Sequence, residues 1–250
     1  MVMFLKKDIE WLNDIKIAHR GLHNLNKGIP ENTIAAFSKA IEKGVAIELD
    51  IHILKDNNIV VFHDDNLNRC CGINKKIKNL DIKEIKEVRL FGTDHKIPTL
   101  TDTLDFVDSK VPIIIEIKTD VSAKKICPYL LKILENYPGK IAIKSFDPRV
   151  CLWLKKNACD IPRGLLITDF KKSKKPNLIK KLFITSMVFV PIYNPDFLSI
   201  SLSMLKSKKV KNTRKKGLVI LGWTFKTKFD YMKYENYCDS YIYEETAKTK

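Results

Sequence analysis

Residues 46–51 read Ala-Ile-Glu-Leu-Asp-Ile, an apolar run interrupted by two acidic side chains at alternate positions. Residues two apart in a strand face the same side, so Glu48 and Asp50 share one face and the larger apolar side chains share the other. Two carboxylates on a buried strand face require a neutralising cation, and Mg²⁺ or Ca²⁺ is the usual one. The alternative is that this strand ends in solvent and carries ordinary surface charges.

Strand-like runs of this kind recur along the chain and alternate with amphipathic helical stretches. Several are apolar nearly throughout, which is typical of strands buried on both faces. Repeated strand–helix alternation predicts parallel strands, and eight of them form a TIM (β/α)8 barrel, although an open doubly wound sheet has the same periodicity. The eight predicted strands are Ile15–Ala18, Ala46–Ile51, Pro112–Ile117, Ile141–Lys144, Gly164–Thr168, Ser186–Val190, Leu218–Trp223 and Ser240–Tyr243.

The helical stretches have apolar residues at helical spacing. Asn32 and Thr101 are predicted as N-caps of the first two. The predicted helices are Thr33–Lys43, Thr101–Ser109, Ala123–Asn136, Pro148–Lys156, Pro176–Leu182, Ser199–Lys216 and Thr227–Glu235.

One connection is much longer than a barrel needs. About sixty residues separate the second strand from Pro112, and they include a strand-like run (Ile59–Phe62) and a helical stretch (Asp81–Leu90). The pattern predicts a single domain over residues 1–250, with an insertion at about 54–110 that lies near the top of the barrel and covers the site.

Two of the predicted strands end in histidine. Ile17-Ala18-His19-Arg20-Gly21 closes the first strand, and Val60-Val61-Phe62-His63 closes the run within the insertion. Barrel enzymes place their chemistry at the carboxyl ends of the strands. A histidine there is as compatible with a structural role as with a catalytic one, but a following arginine and a glycine that permits a sharp turn favour a phosphate-facing group.

A third acidic residue, Glu116, follows three isoleucines in a predicted core strand. A third metal ligand would explain a charge at this position, and Lys118 on the same face would hold a phosphate oxygen. The alternative is a Glu116–Lys118 ion pair at the barrel mouth. Two imidazoles and three carboxylates at strand ends together form a metal-assisted acid–base set.

The net charge of +16 raises the question of nucleic acid. Only six of the 45 basic residues are arginine, the residue that base and phosphate readers favour. We therefore expect no specific nucleic-acid binding. The basic runs at 171–175 and 206–216 are predicted to be solvated helix faces, with weak attraction to an anionic membrane surface as the next alternative.

The six cysteines include no CxxC pair and no disulfide-like spacing. The apolar stretch at the N-terminus is too short for an export signal. Together these features predict reduced thiols and a cytoplasmic protein.

The ordered set of motifs resembles the glycerophosphodiester phosphodiesterase family from about residue 15 to 244. The motifs that carry the resemblance are His19-Arg20-Gly21, Pro30-Glu31-Asn32-Thr33, Ile47-Glu48-Leu49-Asp50, Val60-Val61-Phe62-His63-Asp64, Glu116-Ile117-Lys118, Ser145-Phe146-Asp147-Pro148, Pro162-Arg163-Gly164-Leu165-Leu166 and Gly222-Trp223-Thr224.

The resemblance implies a TIM barrel with a small domain inserted after the second strand. By the same resemblance the catalytic acid and base are His19 and His63, and the ligands of Mg²⁺ or Ca²⁺ are Glu48, Asp50 and Glu116. Arg20 and Lys118 would hold the phosphate, and Trp223 would border the glycerol pocket. The expected products are glycerol 3-phosphate and a free alcohol, through a cyclic glycerol phosphate.

The chain departs from the family pattern at Leu54-Lys55-Asp56-Asn57, at Arg69-Cys70-Cys71 and at Tyr243-Glu244-Glu245. None of these is expected to touch the metal ligands or the histidines. His23 is expected to be incidental, and His52 is expected to be a satisfied polar neighbour of the site.

Two alternatives to a glycerophosphodiesterase remain open. Lysophospholipase D activity would need an apolar entrance, which the charged stretch Asp81–Leu90 does not obviously supply. A catalytically idle lipid- or nucleic-acid-binding barrel would be expected to have lost a metal ligand or a histidine, and all five residues are present.

Overall fold

A closed barrel of eight parallel strands forms the centre of the computed structural model, which describes residues 8–169 and 190–245. The barrel closes because β1 pairs in parallel with β2 on one side and with β9 on the other. The short β3 pairs antiparallel with the end of β2. The TIM-barrel prediction is therefore confirmed. The strands are β1 (Lys16–His19), β2 (Ala46–Ile53), β3 (Ile59–Val61), β4 (Ile113–Ile117), β5 (Ile141–Ser145), β6 (Arg163–Ile167), β7 (Phe197–Ser201), β8 (Val219–Phe225) and β9 (Ser240–Tyr243).

Helices lie between the strands, and most begin at a side-chain cap. The first and fourth are capped by Thr33 and Thr99, whose hydroxyls accept from the backbone N–H three residues on, so the predicted caps Asn32 and Thr101 were wrong. The helices are α1 (Ile34–Glu42), α2 (Asn68–Cys71), α3 (Ile82–Lys86), α4 (Leu100–Val107), α5 (Ala123–Leu134), α6 (Pro148–Asn157), α7 (Val190–Tyr193), α8 (Leu202–Leu205), α9 (Lys208–Lys215) and α10 (Lys228–Tyr234).

One barrel strand lies where the sequence predicted a helix. Phe197–Ser201 is β7, although the helix prediction began at Ser199. All five residues of β7 are buried, and from Leu198 to Ser201 apolar and hydroxyl side chains alternate with a period of two, which is a strand pattern. The helical part of that prediction is two short helices, α8 and α9. The predicted strand 186–190 falls outside the described residues except for Val190, which begins α7; the predicted helix 176–182 also falls outside them.

The barrel interior has an apolar layer below and a polar layer above. Ile17, Ala46, Ile114, Ala142 and Phe197 pack inside the barrel near the amino ends of the strands. Side chains two or more residues further along these strands also face inward, but they are charged or polar. The strand period therefore directs the next inward-facing positions to the carboxyl end of the barrel.

The segment after β2 has an apolar core of its own. Leu54, Val60, Phe62, Leu67 and Ile77 are fully or nearly fully buried in this cluster, together with residues of α3 and the following loop. That the chain is one domain with an insertion at 54–110 stays a prediction. Among the described residues, no helix is both long and apolar enough to cross a membrane.

Candidate active site

A cavity of about 370 Å³ opens at the carboxyl ends of the barrel strands. Every predicted site residue except Glu48 lines it, and Glu48 lies beneath it with no exposed surface. The charged and histidine side chains of the wall are His19, Arg20, His23, Glu31, Asp50, His63, Glu116, Lys118, Lys144, Lys226 and Glu244.

The three predicted metal ligands converge under this cavity. Asp50 of β2 and Glu116 of β4 are register partners, and Glu48 lies one inward-facing position earlier on β2. One carboxylate oxygen from each of the three lies within 4.8 Å of the others. Glu48 is 0% and Asp50 1% exposed, so these are not surface charges at a strand end.

Two lysine ammonium groups lie between these carboxylates. Lys118 Nζ is 3.1 Å from Asp50 Oδ1 and 2.9 Å from Glu116 Oε1, so the alternative Glu116–Lys118 ion pair exists within the cluster. Lys144 Nζ is 2.8 Å from Glu48 Oε1 and 3.3 Å from Glu116 Oε2. Sequence reasoning missed Lys144; its signal was a lysine at the end of the apolar run Ile141-Ala142-Ile143.

The electrostatics of the cluster favour the charged forms of Asp50, Glu116 and Lys118. Burial by itself would raise the pKa of the Asp50 carboxyl, but the positive charges of Lys118 and Arg20 hold it below its ordinary value. The pKa of Glu116 is also lowered, because Lys118 and Lys144 outweigh its burial. Burial would lower the pKa of Lys118, yet Asp50 and Glu116 raise it. Three buried carboxylates that converge and already attract cationic groups offer the oxygen ligands that a hard divalent cation prefers.

His19 is held by a residue from the last strand connection. Its Nδ1 lies 2.7 Å from Glu244 Oε1, and Lys226 Nζ lies 2.7 Å from the other oxygen of the same carboxylate. The pKa of Glu244 is about 2, because hydrogen bonds from His19 and Lys226 outweigh the effect of its burial. An ionised carboxylate accepts only, so Nδ1 of His19 donates and Nε2 is left available for proton transfer. The expectation that Tyr243-Glu244-Glu245 touches none of the histidines was wrong.

His63 is held by its own chain neighbour. Its Nδ1 lies 2.6 Å from Asp64 Oδ1, and the guanidinium of Arg69 donates to both oxygens of Asp64. The pKa of His63 is lowered, first by burial and then by the nearby charges of Lys118 and Arg20, against the raising effect of Asp50. His63 is therefore an uncharged imidazole near neutral pH.

His52 lies behind His63. Its Nδ1 is 3.0 Å from Asp120 Oδ1, so the prediction of a satisfied polar neighbour agrees with its surroundings. Its Nε2 also lies 3.3 Å from the backbone oxygen of His63. Asp120, which sequence reasoning missed, therefore connects through His52 to the backbone that carries His63.

Arg20 and Gly21 form a tight turn at the end of β1. Both have positive φ, 56° and 76°, and a Cβ at Gly21 would come within 2.8 Å of the Ala36 backbone, so only glycine fits there. The turn points the Arg20 N–H at Glu48 Oε2, 3.0 Å away. Its guanidinium pairs with Glu31 at 2.7 Å and reaches the cavity wall.

An aromatic wall completes the cavity. Trp223 meets Phe146 edge-on, with the ring centroids 6.0 Å apart. The indole Nε1 is buried and has no hydrogen-bond partner in the described part of the chain. A polar group of a bound ligand would satisfy it.

His23 was expected to be incidental, but it lies in the wall beside His19 and Glu244. Burial lowers its pKa, which keeps the ring neutral next to His19. Its contribution to the wall is steric and polar rather than ionic.

Comparison with known proteins finds one family model that matches most of the chain. The model of the glycerophosphoryl diester phosphodiesterase family matches residues 19–241. A glycerophosphodiester phosphodiesterase of Caldanaerobacter subterraneus is 34% identical over 166 residues, 62% of this chain and 67% of the relative. A human lysophospholipase D is 30% identical over 229 residues, 83% of this chain and 67% of the relative. The chain thus aligns with about two thirds of the length of these relatives.

Solved structures have the same fold. An Oleispira antarctica phosphodiesterase in complex with the product sn-glycerol-3-phosphate superposes with a TM-score of 0.79 at 20% identity, over 94% of each chain. A glycerophosphodiester phosphodiesterase from Thermotoga maritima has a TM-score of 0.70 at 28% identity, over 92% of this chain and 93% of the other.

Proposed function

The chain belongs to the glycerophosphoryl diester phosphodiesterase family, a family of phosphoric diester hydrolases, and from this premise we propose a specific reaction and a set of roles. The reaction is cleavage of a soluble glycerophosphodiester to glycerol 3-phosphate and a free alcohol. The observation that carries the proposal is that His19 and His63 line one cavity directly above three buried carboxylates.

Glu48, Asp50 and Glu116 would hold Mg²⁺ or Ca²⁺, since their carboxylate oxygens converge within 4.8 Å of one another. When bound, such a cation stabilises negative charge on the phosphate oxygens and makes a nearby hydroxyl more acidic. Arg20 and Lys118 lie in the same cavity wall, and each is paired with carboxylates. The oxygens of a phosphate that enters the cavity would replace those carboxylates as partners of the two cations.

The two histidines would divide the proton transfers. His63, neutral because its pKa is lowered, takes the proton of the glycerol 2-hydroxyl as that oxygen bonds to phosphorus. The bond from phosphorus to the alcohol oxygen breaks, and that oxygen takes a proton from His19, whose ring Glu244 holds through Nδ1. Water then opens the cyclic phosphate, returning a proton to His19, while His63 returns its proton to the 2-oxygen.

A second candidate function is cleavage of lysolipids at an anionic membrane surface. The human relative named above carries the name lysophospholipase D. In this chain, α10 exposes Phe229 (63%) and Met232 (73%) to solvent, and it follows directly after Lys226, which lines the cavity. Lys228 and Lys233 flank these apolar side chains on the same short helix. An exposed apolar surface with a lysine border, close in the chain to a residue of the cavity wall, favours an interfacial substrate.

Release of glycerol 3-phosphate from glycerophosphocholine and glycerophosphoethanolamine tests the proposal, with Mg²⁺, with Ca²⁺ and with EDTA. We expect release that requires metal and that His19→Ala and His63→Ala each abolish. His95→Ala, which removes a histidine outside the cavity, is the matched control. Folded protein that releases nothing from either diester but cleaves lysophosphatidylcholine would replace the first candidate with the second.

A further inference from the structure

Lys144 has no role in the reaction proposed above, yet its ammonium contacts two of the three carboxylates of the cluster. Its Nζ bridges Glu48 Oε1 at 2.8 Å and Glu116 Oε2 at 3.3 Å, and only 3% of its side chain is exposed. Burying an ammonium group without a partner costs free energy, and so does burying an unpaired carboxylate. Lys144 and the two carboxylates therefore stabilise one another.

Both oxygens of Glu48 already contact positively polarised groups, one in an ion pair and the other in a hydrogen bond. Oε1 faces Lys144, and Oε2 accepts the backbone N–H of Arg20 at 3.0 Å. A divalent cation that binds Glu48 must therefore share an oxygen with a permanent positive charge that is attached to the chain. The same holds for one oxygen of Glu116, which faces Lys144, while its other oxygen faces Lys118.

The two lysines differ in their freedom to move. Lys118 is 17% exposed, and its ammonium contacts the oxygens of Asp50 and Glu116 that face the cavity. A divalent cation or a substrate phosphate can therefore displace it outward. Lys144 also lines the cavity, but only 3% of its side chain is exposed, so its ammonium lies deeper than that of Lys118 and is less open to displacement.

We propose that Lys144 is a tethered cation that weakens divalent-metal binding at this site and keeps the metal-free protein stable. The three carboxylates and the two lysines together carry a formal net charge of −1. Without Lys144 the cluster would present −2 to an incoming cation. This inference rests on the proposed function, because it takes Glu48, Asp50 and Glu116 as the metal ligands.

Lys144→Met, which keeps the aliphatic length without the charge, is the principal test. We expect its dissociation constants for Mg²⁺, Ca²⁺ and Mn²⁺, measured by isothermal titration calorimetry, to fall at least about tenfold, since a unit charge within a few ångströms strongly affects a buried cation. Its melting temperature without metal should fall, and the rise on adding metal should exceed that of the wild type.

Lys140→Met is the matched control: it removes one charge just before the same strand, where Lys140 is exposed and pairs with Asp8. Lys144→Gln, which is neutral but keeps a donor, provides a second variant if the methionine variant folds poorly. Equal or weaker metal affinity in the Lys144 variants overturns the inference alone. Absence of metal binding in the wild type and in every variant overturns both the inference and the proposed metal site.

Discussion

The Nδ1 atom of His19 lies 2.7 Å from Oε1 of Glu244, although 225 positions separate the two residues in the chain. His19 ends the first barrel strand, and Glu244 directly follows the last. Pairing of β1 with β9, which closes the barrel, brings them together. The strand pairing that closes the barrel therefore also places Glu244 where it can orient His19, a proposed catalytic residue.

Glu244→Gln should reduce kcat about 10- to 100-fold with little change in KM, the usual range for losing a carboxylate that orients a functional histidine. The amide keeps the size of the side chain but no longer offers a charged acceptor to Nδ1 of His19, so the imidazole is held less firmly in its orientation. Glu245→Gln is the control, since Glu245 is exposed and pairs with Lys43. Equal losses in both variants would contradict the positioning role.

The acidic limb of the pH–rate profile should report His63. Because its pKa is lowered, the active neutral form should persist below pH 6.5, the ordinary value for histidine. The hydrogen bond with Asp64 opposes that lowering. Asp64→Asn should therefore move the limb to still lower pH and decrease the maximal rate, as measured by kcat/KM between pH 4.5 and 8.

Asp65→Asn is the control for this experiment, because Asp65 is the next residue in the chain and is exposed. Its profile should match that of the wild type. A limb that moves to higher pH in Asp64→Asn would mean that a group other than His63 is the base.

Trp223→Ala should raise KM for glycerophosphodiesters about tenfold and change kcat less, since the ring forms a wall of the cavity and takes no part in proton transfer. Trp223→Phe, which retains an aromatic ring opposite Phe146, should keep most of the affinity. Steady-state kinetics on glycerophosphocholine distinguish the two variants. A loss confined to kcat would contradict an assignment to substrate binding.

The charged part of the site could be predicted from sequence to the extent that it follows strand periodicity. Glu48 and Asp50 had to share a face, and Glu116 interrupted an apolar run, so a buried acidic cluster was predictable. Lys144 was not, because its partners lie on two other strands and only the barrel register brings it to them. Glu244 was not predictable for a similar reason, because its partner His19 lies 225 positions away and only the pairing of the last strand with the first brings the two together.

The error at β7 has a different cause. Phe197–Ser201 combines apolar residues with serines at a period of two, but a long lysine-rich stretch with helical spacing follows it immediately. The predicted helix therefore began at Ser199, inside the strand. Tertiary burial on both faces, which the sequence does not display, decides in favour of a strand.

Replacing Phe229 and Met232 together with serine should abolish binding to vesicles that contain anionic lipid. Two exposed apolar side chains inserting into the interface account for roughly tenfold or more in partition coefficient each. Sedimentation with phosphatidylcholine–phosphatidylserine vesicles measures the effect, and binding of the wild type should weaken as salt is raised, because the flanking lysines are exposed. Leu152→Ser, which removes an exposed leucine from α6, is the control.

Hydrolysis of vesicle-borne lysophosphatidylcholine should fall in the double variant, while glycerophosphocholine hydrolysis stays unchanged. Vesicle binding that survives the double substitution would rule out α10 as the membrane contact.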